Sequence, residues 1–262
     1  MKQNKHIWTM VAAIGILFFF SVIVLFNRET AVAETSGGMQ PRAYLPIALK
    51  PVGDVLFGPI HSGEGTYYWE ADGTGNCLFD QTGNLMIAAM NQYDYGTADL
   101  CGAYIQATGP KGSVVVRIVD QCANCEDEQV DFSPEAFAVI ADIPDGRVDI
   151  TWQLISPAIT SPIQYHFKDG SSQWWTAVQV RNIRNPVTKF EYWDGTKWVN
   201  VQRKAWNYFV EESGMGIGTG TEENPIYAFR VTDYFGNVIV DSSIPHVENG
   251  TVTGSSQFPP PP

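Results

Sequence analysis

Asp120 and Asp131 stand at the two ends of one polar loop in the run VVVRIVDQCANCEDEQVDFSPEAF, residues 114–137. A β-rich stretch leads into Asp120, and Val130-Asp131-Phe132-Ser133-Pro134 opens a helix at about Pro134. Acids so spaced can face a single groove, which is the arrangement acid chemistry at a glycosidic bond requires. The same residues have a purely structural reading: Asp120 ends a strand, and Asp131 or Ser133 caps a helix with Pro134 in its first turn. Cys122 and Cys125 lie inside the loop.

A second constellation is aromatic. Lys168-Asp-Gly-Ser-Ser-Gln-Trp174-Trp175 precedes a strand-like run, and Trp206 follows further on. Two tryptophans inside a strand would point one in and one out. At a strand entry, both can lie on the surface, where flat indoles stack on the apolar faces of sugar rings with little entropy to lose.

The rest of the chain limits what these groups can serve. A length of 262 residues suits one large or two small domains. A formal net charge of −12 argues against nucleic acid and anionic surfaces, and favours a neutral partner. Lys2 and Lys5 precede an apolar run from Ile7 to Phe26, with Ala31-Val32-Ala33 as a small-x-small site. Residues 1–33 are therefore expected to be a signal peptide, with an uncleaved membrane anchor as the alternative. Residues 34–60 mix Gly, Pro and small polar residues without a period and are expected to be a linker. In an exported chain, Cys77, Cys101, Cys122 and Cys125 suggest two disulfides, with three connectivities open. Cys122-x-x-Cys125 also has zinc-ligand spacing, but no second such pair accompanies it. His61, His166 and His246 are scattered, and nothing suggests a Ser–His–Asp triad or a His-metal site.

The elements that must position the acids are short and β-rich. Thr66–Glu70 has high β propensity, and Gly73, Gly75 and Asn76 then turn the chain toward Cys77. Leu85–Met90 is a short apolar strand or helical turn. Ala103–Ala107 and Ser113–Val119 flank Gly109-Pro-Lys-Gly112, a hairpin signal. Ser133–Ile140 has helical character, and Arg147–Trp152 alternates as a final strand. The pattern predicts about six strands and one short helix over 61–156, as in a small closed barrel. Strands then recur over 157–262 at Gln164–Phe167, Trp175–Arg181, Lys189–Tyr192, Val199–Arg203, Trp206–Val210, Tyr227–Val231 and Val238–Asp241, predicting an immunoglobulin-like β-sandwich. Ser255–Phe258 is expected as a last edge strand. Tyr192, Trp193 and Trp198 are expected to serve core or hairpin packing.

The motif order GxGTYY…GTGNC…CGAYIQATGPKG…VRIVDQC…VDFSPEAF resembles the six-stranded double-psi β-barrel of bacterial expansins, related to family 45 endoglucanases. KxGSSxWWxAxQVRN over residues 168–182 resembles the expansin cellulose-binding module. The resemblance covers about 63–258. It implies a groove carrying Thr66, Asp120 and Asp131, with Asp131 as counterpart of the endoglucanase general acid. It also implies an aromatic platform of Trp174, Trp175 and Trp206, assisted by Lys168. The family often has Tyr two residues after the first Asp, where this chain has Cys122, so Tyr68 and Trp69 are the candidates for the aromatic wall. Glu70 falls near the place of the endoglucanase catalytic Asp that acts as general base. An acid and base pair, Asp131 with Glu70, would make the alternative a weak inverting glycosidase or peptidoglycan-cleaving enzyme. The resemblance suggests Cys77–Cys101 and Cys122–Cys125, with Cys101–Cys122 and Cys77–Cys125 also open. What it implies as a whole is a secreted, monomeric, cofactor-free and metal-free protein that binds cellulose or another neutral wall glucan and loosens it without hydrolysis.

Overall fold

A computed structural model describes residues 53–262. The expected signal peptide and most of the expected linker lie outside the described residues. No helix among the described residues is long and apolar enough to cross a membrane.

Six strands close a barrel: β1 (Val55–Tyr67), β2 (Ile87–Asn91), β3 (Tyr104–Gly109), β4 (Gly112–Cys122), β5 (Val130–Phe132) and β6 (Arg147–Ser156), in the order β1-β5-β2-β4-β3-β6. The pairs β1/β5 and β2/β4 are parallel and the others antiparallel. A four-residue helix, α1 (Gln92–Tyr95), follows β2, and α2 (Pro134–Ile140) follows β5. The interior takes Ile105, Val116, Ile118, Phe132 and Trp152, and α2 adds Ala136, Phe137 and Ile140 from one face. β2 is buried along its whole length, which is why its sequence reads as an unbroken apolar run rather than an alternation.

The expected linker ending at residue 60 is overrun by β1. Val55, Leu56 and Phe57 pair with Ser156, Ile155 and Leu154, and a bulge before His61 resumes the ladder along Trp152 to Arg147. The Gly and Pro in this stretch had masked a strand. At its other end β1 stops at Tyr67, so Trp69 and Glu70 belong to the turn beyond it.

The second half is a sandwich of two four-stranded sheets. One runs β10 (Trp198–Val201), β9 (Val187–Trp193), β12 (Ile226–Asp233), β13 (Val238–Pro245), and the other β11 (Phe209–Glu211), β8 (Thr176–Arg181), β7 (Gln164–Phe167), β14 (Thr251–Thr253). β12 shows the period of two plainly: Tyr227, Phe229, Val231 and Asp233 are buried and their neighbours are not. Phe167, Val178, Phe190, Phe229 and Phe258 fill the space between the sheets. The expected last strand at 255–258 is replaced by β14, and Phe258 instead drops into the core.

Barrel and sandwich are joined by side-chain hydrogen bonds. Gln179 Nε2 donates to Cys77 O at 2.8 Å, and Arg203 Nη1 to Ala98 O at 2.7 Å. Arg184 Nε donates to Ser156 Oγ at 2.8 Å.

Candidate functional site

The ladder of the barrel sets the two aspartates level. Thr66 lies opposite Asp131, Asp131 opposite Ala89, and Ala89 opposite Asp120. Directly paired residues project to the same face, so these four form a row across β1, β5, β2 and β4. With strands about 4.8 Å apart, the two aspartate backbones stand about 10 Å apart, with the small Ala89 as a low floor between them. The β2/β4 register skips Val119 between Ala88 and Ala89. Without that irregularity Val119 would stand opposite Ala89, and Asp120 would turn to the other face.

Neither acid serves the structural role open to it. Ser133 Oγ caps α2 by accepting from Ala136 N at 3.1 Å, which leaves Asp131 free of capping. Asp120 does not end β4, which continues to Cys122. Asp120 Oδ1 instead accepts from Asn76 N at 2.6 Å and from Gln121 N at 2.7 Å. The approach requires Gly75, where a Cβ would come within 2.5 Å of Asp120 Cγ.

Asp131 Oδ1 accepts from Thr66 Oγ1 at 2.5 Å. Thr66 Oγ1 in turn accepts from Gln129 Nε2 at 3.1 Å. An amide N–H can only donate, so Gln129 occupies a lone pair of the hydroxyl and leaves its proton for Asp131. Gln129 is buried and its Oε1 accepts from Glu126 N at 3.0 Å, which fixes the amide's orientation. Burial pushes the Asp131 carboxyl above the usual range. The Thr66 hydrogen bond and then Arg147 pull it back, and the charge of Asp120 adds to the rise.

The groove has an aromatic and a sulfur wall. The Tyr68 phenol is driven up first by burial and then by the negative charges of Asp120, Asp131 and Asp72. Its hydroxyl is buried and has no partner among the described residues. Trp69, 69% exposed, stands edge-on to Tyr67 with centroids 5.4 Å apart. Disulfides join Cys77 to Cys101 and Cys122 to Cys125. The second lies at Asp131: both sulfurs and a carboxylate oxygen fall within 4.8 Å of one another. Glu70 is exposed in a left-handed conformation at φ 69°. It has no hydrogen-bond partner among the described residues and is not among the charges acting on Asp131.

The platform is built on a different plan. Trp175 and Trp206 rest on one small apolar floor of Ala177, Tyr208 and Val210, with Trp206 and Tyr208 rings 5.3 Å apart. Trp175 Nε1 donates to Glu212 Oε2 at 2.9 Å, and Lys204 Nζ holds the other oxygen of Glu212 at 3.0 Å. Trp174 is 73% exposed. Trp206 lies in a turn rather than at the start of the expected strand, because pairing begins only at Phe209. Lys168 N donates to Ala177 O at 3.0 Å, which sets this residue beside the floor.

Groove and platform meet at Asn76. Its backbone N–H holds Asp120, and its side chain donates to Ala205 O, next to Trp206, at 2.9 Å. Tyr95 donates its hydroxyl proton to the same oxygen at 2.7 Å. Asn76, Gln129, Tyr95, Lys204 and Glu212 carried no expected site role. Asn76 stood in the noted GTGNC turn, while nothing in the sequence singled out Gln129.

No family model matches the chain. It is 35% identical over 219 residues to Expansin-YoaJ of Bacillus subtilis (strain 168), covering 80% of this chain and 91% of that protein. The chain belongs to the expansin family. It is also 30% identical over 162 residues to Expansin-like protein 2 of Dictyostelium discoideum, covering 57% of this chain and 40% of that one. Among solved structures, the Clavibacter michiganensis expansin matches in its apo form with TM-score 0.69 and 28% identity, over 77% of this chain and 99% of that one. A point mutant of the same expansin in complex with cellohexaose matches with TM-score 0.70, 29% identity and the same coverage. The closed barrel and two-sheet sandwich of this expansin are therefore the family fold.

Proposed function

We propose that this expansin holds a neutral β-glucan, cellulose in the first instance, on Trp174, Trp175 and Trp206, and loosens its chain–chain contacts in the barrel groove without net hydrolysis. The observation that supports this most is the bridge through Asn76, which ties Asp120 of the groove to the turn carrying Trp206. A glucan lying on the indoles is thereby led toward the acids. In the groove, Asp131 with its raised pKa can donate a hydrogen bond to a chain hydroxyl when protonated or accept one when ionised, replacing glucan–glucan hydrogen bonds one at a time. Thr66 and Tyr68 supply further hydroxyls beside it. A cellohexaose complex of a Clavibacter relative with the same fold agrees with this class of ligand. Action on a wall polymer would require export, which the apolar run before residue 34 is expected to direct.

Asp131→Asn tests the reading. It should reduce wall extension under load to background while leaving sedimentation with cellulose unchanged. Extension at the unaltered rate would remove Asp131 from the mechanism.

A further inference from the structure

Trp193 was expected to pack within its hairpin. It does stand edge-on to Trp198 with ring centroids 5.5 Å apart, yet it remains 37% exposed and forms one wall of a cavity of about 420 Å³. That volume falls in the range of small-molecule sites, about 300–1,000 Å³. Gly216 and Gly218, which have no side chain, line it as well, together with Asp194 and Thr219. Asp194 Oδ1 accepts from the Thr196 hydroxyl at 2.7 Å and from Lys197 N at 2.9 Å, while its Oδ2 has no partner among the described residues. The Thr219 hydroxyl has none either.

We propose that this cavity is a second carbohydrate site, taking a short neutral saccharide that stacks on Trp193 and gives its hydroxyl protons to Asp194 and Thr219. An exposed indole facing open hydroxyl and carboxylate groups suits a ring with one apolar face and a polar rim. A carboxylate in the lining disfavours anions. The cavity adjoins the platform through one loop: Gly216 N donates to Gln173 O at 3.1 Å, immediately before Trp174. The site is nonetheless separate, because none of Trp174, Trp175 and Trp206 lines the cavity.

The test uses the full chain carrying Trp174→Ala, Trp175→Ala and Trp206→Ala together, so that failure of the platform reading cannot imitate failure of this one. Cellotetraose is titrated while the Trp193 indole N–H resonance is followed. The signal should shift saturably, and Ala228→Leu, which places a larger side chain on the cavity wall, should weaken the response at least about tenfold without lowering the melting temperature. If Ala228→Leu lowers the melting temperature, Trp193→Phe, which keeps a ring on the wall, is compared instead by ligand-observed transfer of saturation and should weaken binding at least severalfold. A Trp193 signal that stays still at saturating sugar for the platform of the parent chain overturns the proposal. Saturation by tetramethylammonium but not by the sugar overturns it as well, and assigns the cavity to a cation.

Discussion

The barrel groove and the aromatic platform answer opposite physical demands. On the proposed reading the groove must hold an acid at a fixed position with a raised proton affinity, which needs burial and neighbours supplied by several strands. Thr66, Asp131 and Asp120 come from three strands, and each acid is held by a partner far away in sequence, Thr66 or Asn76. The platform must offer flat apolar area to a polymer too large to enclose. Trp174 and Trp175 come from one loop and Trp206 from one turn, and their support is a three-residue floor and one ion pair. On the reading proposed above, proton chemistry would be a property of the ladder, and binding a property of two local segments.

That contrast is open to attack at both ends. The largest effect is expected from replacing Trp174, Trp175 and Trp206 together with alanine. If each stacked ring contributes about 1 kcal/mol beyond lost area, cellulose affinity should fall by a hundredfold or more, as read from binding isotherms. The pH profile of any residual loosening should be unchanged. A changed profile would mean that the two regions are not separate.

Removing the Cys77–Cys101 bridge by double alanine substitution should cost about 3 kcal/mol of stability in denaturant unfolding, from the loop it closes. Cys77 O also accepts from Gln179 and Asn207. Loosening should therefore fall along with stability, while binding by the indoles persists.

A subtler effect is expected from Thr66→Val. The Thr66 hydrogen bond lowers the Asp131 pKa against the rise caused by burial. If the neutral acid is the working form, loosening declines as pH rises through that raised pKa. Without the hydroxyl the pKa climbs further, and the decline should move to higher pH. Gln129→Leu should move it the same way by less, since the hydroxyl remains but is no longer aimed. A shift to lower pH in an extension assay would reverse the assignment of donor and acceptor.

The smallest effect is expected from Glu70→Gln. An exposed side chain with no hydrogen-bond partner among the described residues should change neither extension nor binding beyond error. Release of reducing ends from amorphous glucan that depends on Glu70 would instead favour hydrolysis.

By itself the sequence determined what lies close along the chain. Residues 168–182 contain most of the platform in one motif, so their reading needed no knowledge of distant partners. The Gly109–Gly112 turn, the Pro134 helix start and the alternation of the sandwich strands were legible for the same reason: each is fixed by conformational preferences within a few residues. The tertiary structure decided which groups hold each acid. Asp131 and Ser133 were equal candidates for the helix cap until Ser133 was found to hold Ala136 N. Asp120 faces Asp131 only because the ladder skips Val119, and one step of register carries a side chain to the opposite face. Gln129 matters through a hydroxyl on another strand. Glu70, four residues from Thr66 in sequence, is carried out of the groove when β1 ends at Tyr67. Stacking surfaces arise from neighbours in the chain, whereas shifted proton affinities arise from burial and from neighbours in space.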